Sequence, residues 1–315
     1  MFRFLCLLLC LLPLTLFASV KPDQKINHVI YVTVDGARWQ DIYLDRTYFP
    51  KLWKKHAKHL IFYGEPGDST TMEVASIPVS LPSYQSQMSG AVQPCDNNAC
   101  GRIGVQTFPE DILLGKKLNK KEVAIFSSWY EINFAAEHVQ GRLYTNTGNV
   151  PVTDPDTSIP DAIMETLNQQ QLNDHPKYPG RYDKYTFAQA LHYFEKYQPH
   201  FMWISLLDAD EAAHAADLER YHAALTFYDD ALEVLFNMLS TLKLDKDTLV
   251  IVTTDHGRGN GDDWTSHGSK YPESKQTWAF VMNGELAPIN REGSVTYYST
   301  LSIKPTVEAA LGLSK

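Results

Sequence analysis

Five short apolar runs rich in β-branched residues constrain the fold of this chain more than any other feature of its sequence. They cover residues 29–34, 123–127, 201–207, 249–253 and 278–282. Several of them are continuous rather than alternating, which is typical of strands buried on both faces of a sheet. Segments with helical periodicity lie between them, over residues 111–118, 161–170, 187–197 and 218–242.

The alternation of strands with helices predicts an α/β fold with a doubly wound, mainly parallel sheet and helices on both of its faces. Pro305 and Gly312 have the residue types that open and close a helix, so a last helix is predicted over residues 306–311. Stretches rich in Pro, Gly, Asn and Asp are predicted to be long loops, at residues 64–100, 143–160 and 173–185.

The N-terminus has the pattern of a cleavable signal peptide. Arg3 precedes an almost unbroken apolar run over residues 4–17, followed by Ala18 and Ser19. The run is shorter than the ~20 residues that a membrane-spanning helix needs. We therefore predict a signal peptide at 1–19 and one exported domain at 20–315, soluble in a periplasm or an equivalent compartment. No later segment is apolar and long enough to predict a membrane span.

Charge and cysteine content narrow the class of protein further. The 37 acidic and 28 basic residues give a formal net charge of −9, which argues against binding to a nucleic-acid duplex. Of the four cysteines, Cys6 and Cys10 lie in the predicted signal peptide. In an oxidising compartment we expect the other two, Cys95 and Cys100, to form a disulfide. A metal site is the alternative, but two thiols alone do not complete one.

Acidic and imidazole side chains follow three of the predicted strands. The carboxyl ends of parallel strands share one edge of a sheet, where ligands bind in folds of this kind, so we expect these side chains to converge. A further histidine returns eleven residues after His256, beyond a glycine-rich turn. The mixture of carboxylates and imidazoles favours zinc, although manganese or iron would accept similar ligands. The candidate ligands are Asp35, Asp210, His214, Asp255, His256 and His267.

Six short motifs occur in order between residues 29 and 268. They are Val-Thr-Val-Asp-Gly at 32–36, Ser-Leu-Pro-Ser at 80–83, Ser-Gly at 89–90, Asp-Glu-Ala-Ala-His at 210–214, Thr-Asp-His-Gly at 254–257 and His-Gly at 267–268. In kind and order they resemble the alkaline phosphatase superfamily, especially its type I phosphodiesterase/nucleotide pyrophosphatase-like and sulfatase-like branches. The resemblance implies an alkaline phosphatase-like catalytic domain that binds two divalent metal ions.

The resemblance also implies a role for each residue of the site. Ser80 takes the position of the nucleophile, which would pass through a phosphoseryl intermediate, and metal coordination would activate its hydroxyl. One ion would be held by Asp210, His214 and His267, and the other by Asp35, Asp255, His256 and Ser80. Asp208 is a candidate for supporting Asp210 without binding a metal.

The class of ester is less well defined by the sequence. Sulfatases of this superfamily carry an Arg where Tyr84 stands here, which argues against a sulfatase. Arg102 is the predicted cation for the phosphoryl oxygens of a substrate. Asn97 or Asn98 is the predicted hydrogen-bond donor to them. Aromatic side chains are candidates for stacking on a leaving group, namely Tyr84, Trp129, Tyr130 and Trp264.

We therefore expect an exported two-metal hydrolase that acts on a small-molecule phosphate ester, as a phosphomonoesterase or a phosphodiesterase. The alternatives are a sulfatase or phospho-group transferase of the same superfamily, and a metal-binding protein that keeps the fold without turnover.

Overall fold

The computed structural model describes residues 25–67, 70–156, 161–282 and 296–313, and the predicted signal peptide lies outside these ranges. Nine strands lie within the described residues. They are β1 (His28–Val34), β2 (Leu60–Tyr63), β3 (Thr70–Glu73), β4 (Val123–Ser127), β5 (Tyr144–Thr147), β6 (Phe201–Leu206), β7 (Thr248–Thr253), β8 (Ala279–Met282) and β9 (Thr296–Ser299).

Seven of these strands form one sheet in the order β2-β8-β7-β1-β6-β4-β5, and β3 and β9 form a small parallel pair. β1 lies between β6 and β7 and is parallel to both, with Val32 opposite Ile204 and Val252. β8 is antiparallel to β7 and to β2. The sheet is therefore mainly parallel, as predicted, with one antiparallel strand near an edge.

Helices cover both faces of the sheet. They are α1 (Trp39–Tyr43), α2 (Ser80–Ser89), α3 (Phe108–Gly115), α4 (Ile132–Ala136), α5 (Ala162–Asn173), α6 (Asp183–Tyr197), α7 (Asp208–His214), α8 (Leu218–Leu242) and α9 (Ile303–Ala310). A π-helical turn spans Leu52–His56. In the ranges given above, no helix combines the length and the apolar character required to cross a bilayer.

Side chains of β1 alternate between two hydrophobic cores, one on each face of the sheet. Ile30 and Val32 contact the core that includes residues of α6 and α8, whereas Val29 and Tyr31 contact the core that includes residues of α2, α3 and α9. This alternation has the period of two expected of a strand. A strand with apolar partners on both faces explains why its sequence is continuously hydrophobic.

The five predicted strands and the 218–242 helix are present in the structure, but the prediction of a long loop at 64–100 is wrong. That stretch contains β3 and the ten-residue helix α2, of which nine residues are buried. Polar groups of α2 bond to one another, for example Ser86 Oγ to the Pro82 carbonyl at 2.7 Å. A buried polar helix has no apolar stripe, and this removes the periodicity that predicts helices.

Candidate metal centre

Three adjacent strands deliver the candidate ligands to one edge of the sheet. Asp35 directly follows β1, α7 starts at Asp208 after β6, and Asp255 comes two residues after β7. Because β1 lies between β6 and β7, these three strand ends are neighbours. Asp35 and Asp255 are buried, and Asp210 is 5% exposed. The convergence predicted from the strand ends is therefore present.

The first group of ligand atoms comes from Asp35, Asp255 and His256, whose atoms lie within 4.8 Å of one another. His256 Nε2 is 3.5 Å from Asp35 Oδ1 and 3.4 Å from Asp255 Oδ2. Atoms that bind a tetrahedral zinc at 2.0–2.1 Å are about 3.3 Å apart. The spacing of this group therefore fits a metal ion.

The second group contains Asp210, His256 and His267, again within 4.8 Å. His214 joins it, because its Nε2 lies 3.1 Å from Asp210 Oδ2 and 3.2 Å from His267 Nε2. The rings of His256 and His267 stack with their centroids 3.8 Å apart. The structure thus brings all six candidate ligands together and places His256 within reach of both groups.

The hydrogen bonds of His256, which is buried, and of His267, which is half-buried, indicate that this donor set suits a cation. His256 Nδ1 lies 2.9 Å from the Gly257 carbonyl, and His267 Nδ1 lies 2.9 Å from the Pro78 carbonyl. Since a carbonyl only accepts, each Nδ1 carries the proton and each neutral ring directs the Nε2 lone pair into the cluster. Asp255 Oδ2 is buried there with no hydrogen-bond partner in the described part of the chain.

The same arrangement is common around protein-bound metals, where a ligating histidine donates its other N–H to a backbone carbonyl. Burial lowers the pKa of His256, with His267 adding to the effect, and burial also lowers the pKa of His267. Both imidazoles are thus held in the neutral form that binds metal. The residues present fit divalent metal ions.

The acidic side chains of the cluster repel one another. Burial, followed by the charges of Asp255 and Asp210, raises the pKa of Asp35 well above its ordinary value. Burial and Asp210 raise the pKa of Asp255 to about 7. Burial also works to raise the pKa of Asp210, but Arg258 and His214 outweigh it and hold that pKa low. Ionisation of all three carboxyl groups is therefore unfavourable unless positive ions balance their charge.

Ser80 is the first residue of α2 and lies beside the first group of ligands. Its Oγ is 3.4 Å from Asp35 Oδ1 and 3.3 Å from His256 Nε2, and the residue is 4% exposed. Val79 precedes the helix without a side-chain cap, and Gly90 ends it with φ of +72°. A helix N-terminus attracts anions, so the hydroxyl lies where a negatively charged group is stabilised.

Two side chains near Ser80 differ in how they relate to the site. Asn98 is exposed, and its Oδ1 accepts a hydrogen bond from the Leu81 backbone N–H at 3.0 Å. Arg102 donates to the Asn133 and Glu137 carbonyls at 2.6 and 2.7 Å. These contacts tie Arg102 to α4 and to the residue that follows it. Its predicted contact with substrate remains a prediction that they do not support.

Among the candidate stacking residues, Tyr84 is fully buried and donates to Asp35 Oδ2 at 3.3 Å. It therefore orients a candidate ligand and is not available for stacking. Trp264 is partly buried against Tyr221, whereas Tyr130 is 52% exposed.

Asp208 does not join the ligand cluster. Its Oδ1 accepts from the Tyr178 hydroxyl and its Oδ2 from the Asp183 backbone N–H. Asp183 in turn accepts from the backbone N–H groups of Leu207 and Asp208 at 2.7 and 2.8 Å. These bonds fix the start of α7, the helix that carries Asp210.

Sequence reasoning missed Arg258, whose side chain is fully buried. Its guanidinium donates to the carboxylate of Asp210, to the Gly36 carbonyl at 3.0 Å and to the Thr265 carbonyl at 3.0 Å. The only signal in the sequence is a cation within the glycine-rich turn after Asp255-His256.

Solved structures with a similar fold include three enzymes. The chain aligns with the alkaline phosphatase from the Antarctic bacterium TAB5 at 14% identity and a TM-score of 0.55, over 93% of this chain and all of that one. It aligns with the lipoteichoic acid synthase LtaP from Listeria monocytogenes at 12% identity and a TM-score of 0.58, over 95% of this chain and 76% of that one. A 2-O GAG sulfatase aligns at 12% identity and a TM-score of 0.58, over 93% of this chain and 72% of that one. No curated protein matches the sequence.

The profile of the type I phosphodiesterase/nucleotide pyrophosphatase family matches residues 116–306. This range includes the candidate ligands on α7 and those after β7, whereas Asp35 and Ser80 precede it. The match covers more than half of the chain, and the fold is that of the alkaline phosphatase superfamily. The chain belongs to the type I phosphodiesterase/nucleotide pyrophosphatase family, within the alkaline phosphatase superfamily of enzymes.

Proposed function

We propose that this protein is an exported two-metal hydrolase of phosphoric esters, with Ser80 as its nucleophile. In this proposal residues 1–19 are a signal peptide and residues 20–315 form the catalytic domain. Asp210, His214 and His267 hold one ion, and Asp35, Asp255, His256 and Ser80 hold the other. Both ions are proposed to be zinc, because carboxylate and imidazole ligands at this spacing suit that metal.

The observation that carries the proposal is the position of the Ser80 hydroxyl. Its Oγ lies within 3.4 Å of Asp35 Oδ1 and of His256 Nε2, two ligand atoms of the first group. A serine hydroxyl is a weak nucleophile at neutral pH unless its proton is removed or its pKa is lowered. A serine with only a structural role would not be expected to lie beside two candidate metal ligands.

Bound divalent ions supply a lower pKa for the attacking hydroxyl and charge stabilisation for the attacking and leaving oxygens. Ser80 Oγ attacks phosphorus, the bond from phosphorus to the leaving oxygen breaks, and the phosphoryl group is transferred to Ser80. Water then attacks the phosphoserine and releases phosphate or a phosphate monoester, which restores the hydroxyl. The N-terminus of α2 stabilises the negative charge that the phosphoryl group brings.

The side chains around Ser80 favour phosphorus over sulfur as the reacting centre. Tyr84 stands where sulfatases of the superfamily carry an arginine, and its hydroxyl is engaged with Asp35. We propose that the amide of Asn98, whose Oδ1 accepts from the first turn of α2, donates to a phosphoryl oxygen. A phospho-group transferase with the same nucleophile differs only in the acceptor that attacks the phosphoserine.

The test uses the full-length chain, stripped of metal with a chelator and refilled with zinc. We expect turnover of an aryl phosphate or a bis-aryl phosphate to be lost on stripping and to return with zinc. Ser80→Ala should lower kcat by at least about 1,000-fold while two zinc ions still bind. Ser240→Ala, an exposed serine on α8, serves as the matched control and should keep wild-type activity.

An alanine variant at Ser80 with wild-type turnover would overturn the nucleophile assignment. Preferential turnover of an aryl sulfate would favour a sulfatase, and release of the phenol only with an added alcohol acceptor would favour a transferase. Stoichiometric zinc without turnover of any substrate would show a binding protein on this fold.

A further inference from the structure

A short disulfide-closed loop lies against the helix that begins at Ser80. Cys95 and Cys100 are bonded, with Cα atoms 5.5 Å apart, and they enclose four exposed residues, Asp96 to Ala99. Asn98 belongs to this loop and accepts from the Leu81 backbone N–H at 3.0 Å. The loop is therefore bonded to the residue that directly follows the proposed nucleophile.

The hydrogen bond to Leu81 fixes the orientation of the Asn98 amide. A backbone N–H only donates, so the atom that faces it must be the amide oxygen, and the NH₂ group faces the other way. Asn98 thus replaces the side-chain cap that Val79 does not provide at the start of α2. Its NH₂ group makes no hydrogen bond within the described ranges, so both of its N–H donors are available to a ligand.

Anchors on both sides of the loop connect it to α2. Before the loop, the Gln93 backbone N–H donates to Ser86 Oγ at 3.4 Å. After it, the Gly101 carbonyl accepts from Gln85 Nε2 at 2.7 Å. The buried half-cystine, Cys95, lies in the apolar core with α2, so the ends of the loop are fixed to the same helix as the nucleophile.

Between these anchors the loop has few contacts with the rest of the protein. Asn97 accepts from the Ala99 backbone N–H at 2.8 Å and donates to Asp96 Oδ1 at 2.6 Å, and both bonds are internal to the loop. The contact from Asn98 to Leu81 and the disulfide are what hold the exposed residues in place. Opening the disulfide would free the loop to move and would weaken that contact.

We infer that the Cys95–Cys100 disulfide is a positioning element for Asn98, and that it sets the affinity of the site for the phosphoryl group. Asn98 is the residue that contacts the substrate, and the disulfide acts through it. This inference rests on the proposed function, since the bound group is the phosphoryl group of the ester that Ser80 attacks.

The test compares four zinc-loaded full-length proteins: the wild type, Cys95→Ser with Cys100→Ser, Asn98→Ala, and the triple variant. Serine replacement avoids thiol reductants, which bind zinc. We expect Asn98→Ala to raise KM for a bis-aryl phosphate by about 10-fold or more, as for loss of a hydrogen bond to a charged group. The double serine variant should raise KM by roughly 3- to 10-fold, because the donor is misplaced rather than removed.

The triple variant distinguishes positioning from general loosening. If the disulfide acts through Asn98, the triple variant should have the KM of Asn98→Ala, since coupled residues are not additive. Asp96→Ala, in the same exposed loop, is the matched control and should leave KM unchanged. Thermal unfolding confirms that each variant is folded at the assay temperature, and a lower melting temperature alone does not change KM.

A wild-type KM in the double serine variant would overturn the inference. The inference would also be overturned if removing the disulfide raised KM by the same factor in Asn98→Ala as in the wild type. If the wild type hydrolyses no phosphate ester, the proposed function fails separately. The inference is then judged by the affinity of the same four proteins for inorganic phosphate, which must follow the same order.

Discussion

The Nε atom of Arg258 donates to the carbonyl oxygen of Gly36 at 3.0 Å, which joins the segment after β7 to the residue that follows Asp35. The same guanidinium bonds to Asp210 and to the Thr265 carbonyl. One buried side chain therefore connects the segments that carry the candidate ligands. Within the described ranges, the cation that forms an ion pair with a carboxylate of the cluster is Arg258, and that carboxylate is Asp210.

Replacing Arg258 with methionine should weaken zinc binding by about 10- to 100-fold, the usual effect of losing a group that orients a ligand. The physical reason is that Asp210 directs Oδ2 to His214 while Oδ1 is held by Arg258. Without this partner the carboxylate is free to rotate and the buried negative charges are less well balanced. Chelator competition on metal-stripped protein measures the affinity and the number of ions bound.

Arg258→Lys is the informative control, because lysine keeps the charge but cannot reach the Gly36, Thr265 and Asp210 oxygens together. We expect it to bind zinc almost as weakly as the methionine variant. Full affinity in the lysine variant would show that charge alone matters and would contradict the positioning role of the guanidinium.

Gly36 is required by the close approach of two side chains. Its φ is +62°, and a Cβ atom there would lie 2.4 Å from Asp210 Oδ1 and 2.7 Å from Arg258 Nη2. Gly36→Ala should therefore lower the free energy of unfolding by about 3 kcal/mol or more, since backbone strain and steric overlap combine. Denaturant unfolding measures the loss, and zinc stoichiometry should fall with it.

Gly141→Ala separates the two contributions. Gly141 has a φ of +79°, but nothing lies within 4 Å of the position of its Cβ. Strain alone predicts a loss of about 1 kcal/mol, with zinc binding unchanged. An equal decrease in the free energy of unfolding of both variants would mean that overlap of the new Cβ with Asp210 and Arg258 adds nothing to the backbone strain at Gly36.

The sheet and the ligand edge could be predicted from the sequence because both depend on local patterns. Val29 to Val34 form a continuous apolar run since β1 contacts a core on each face, and such a run is visible without a structure. Asp35 and Asp255 follow strands, and the ends of parallel strands share one edge of a sheet, so their proximity could be predicted.

The helix of the nucleophile could not be predicted in the same way. The sequence of α2 is rich in Ser and Gln, and its stability comes from burial and from side-chain bonds such as Gln87 Nε2 to Ser83 Oγ at 3.1 Å. Such bonds depend on which groups face each other after folding. The same holds for the contacts of Arg258 and of Asn98, since their partners are distant in sequence or on the backbone of another segment.

His56 ends the π-helical turn and is distant in sequence from the candidate metal ligands. Its ring packs edge-on against Phe236 with centroids 4.8 Å apart, and its buried Nε2 makes no hydrogen bond in the part of the chain that the structure describes. Burial lowers the pKa of His56 below its ordinary value, although Glu233 acts in the opposite direction. The folded protein therefore takes up this proton less readily than the unfolded chain.

This difference makes stability depend on pH in a defined direction. The contribution of neutral His56 is complete above the ordinary histidine pKa of about 6.5 and is lost as the pH falls below it, because the unfolded chain then binds the proton first. His56→Phe keeps an aromatic ring against Phe236 and removes the titration. The free energy of unfolding of the phenylalanine variant relative to the wild type should therefore be higher at pH 5.5 than at pH 7.5.

Urea unfolding of both proteins, stripped of metal, measures the difference at each pH, and effects of the other histidines are common to both proteins and cancel. A difference that stays constant between the two pH values, or that shifts in favour of the wild type between pH 7.5 and pH 5.5, would show that the His56 ring is protonated as easily in the folded protein as in the unfolded chain. That outcome would place the ring in contact with solvent rather than against Phe236.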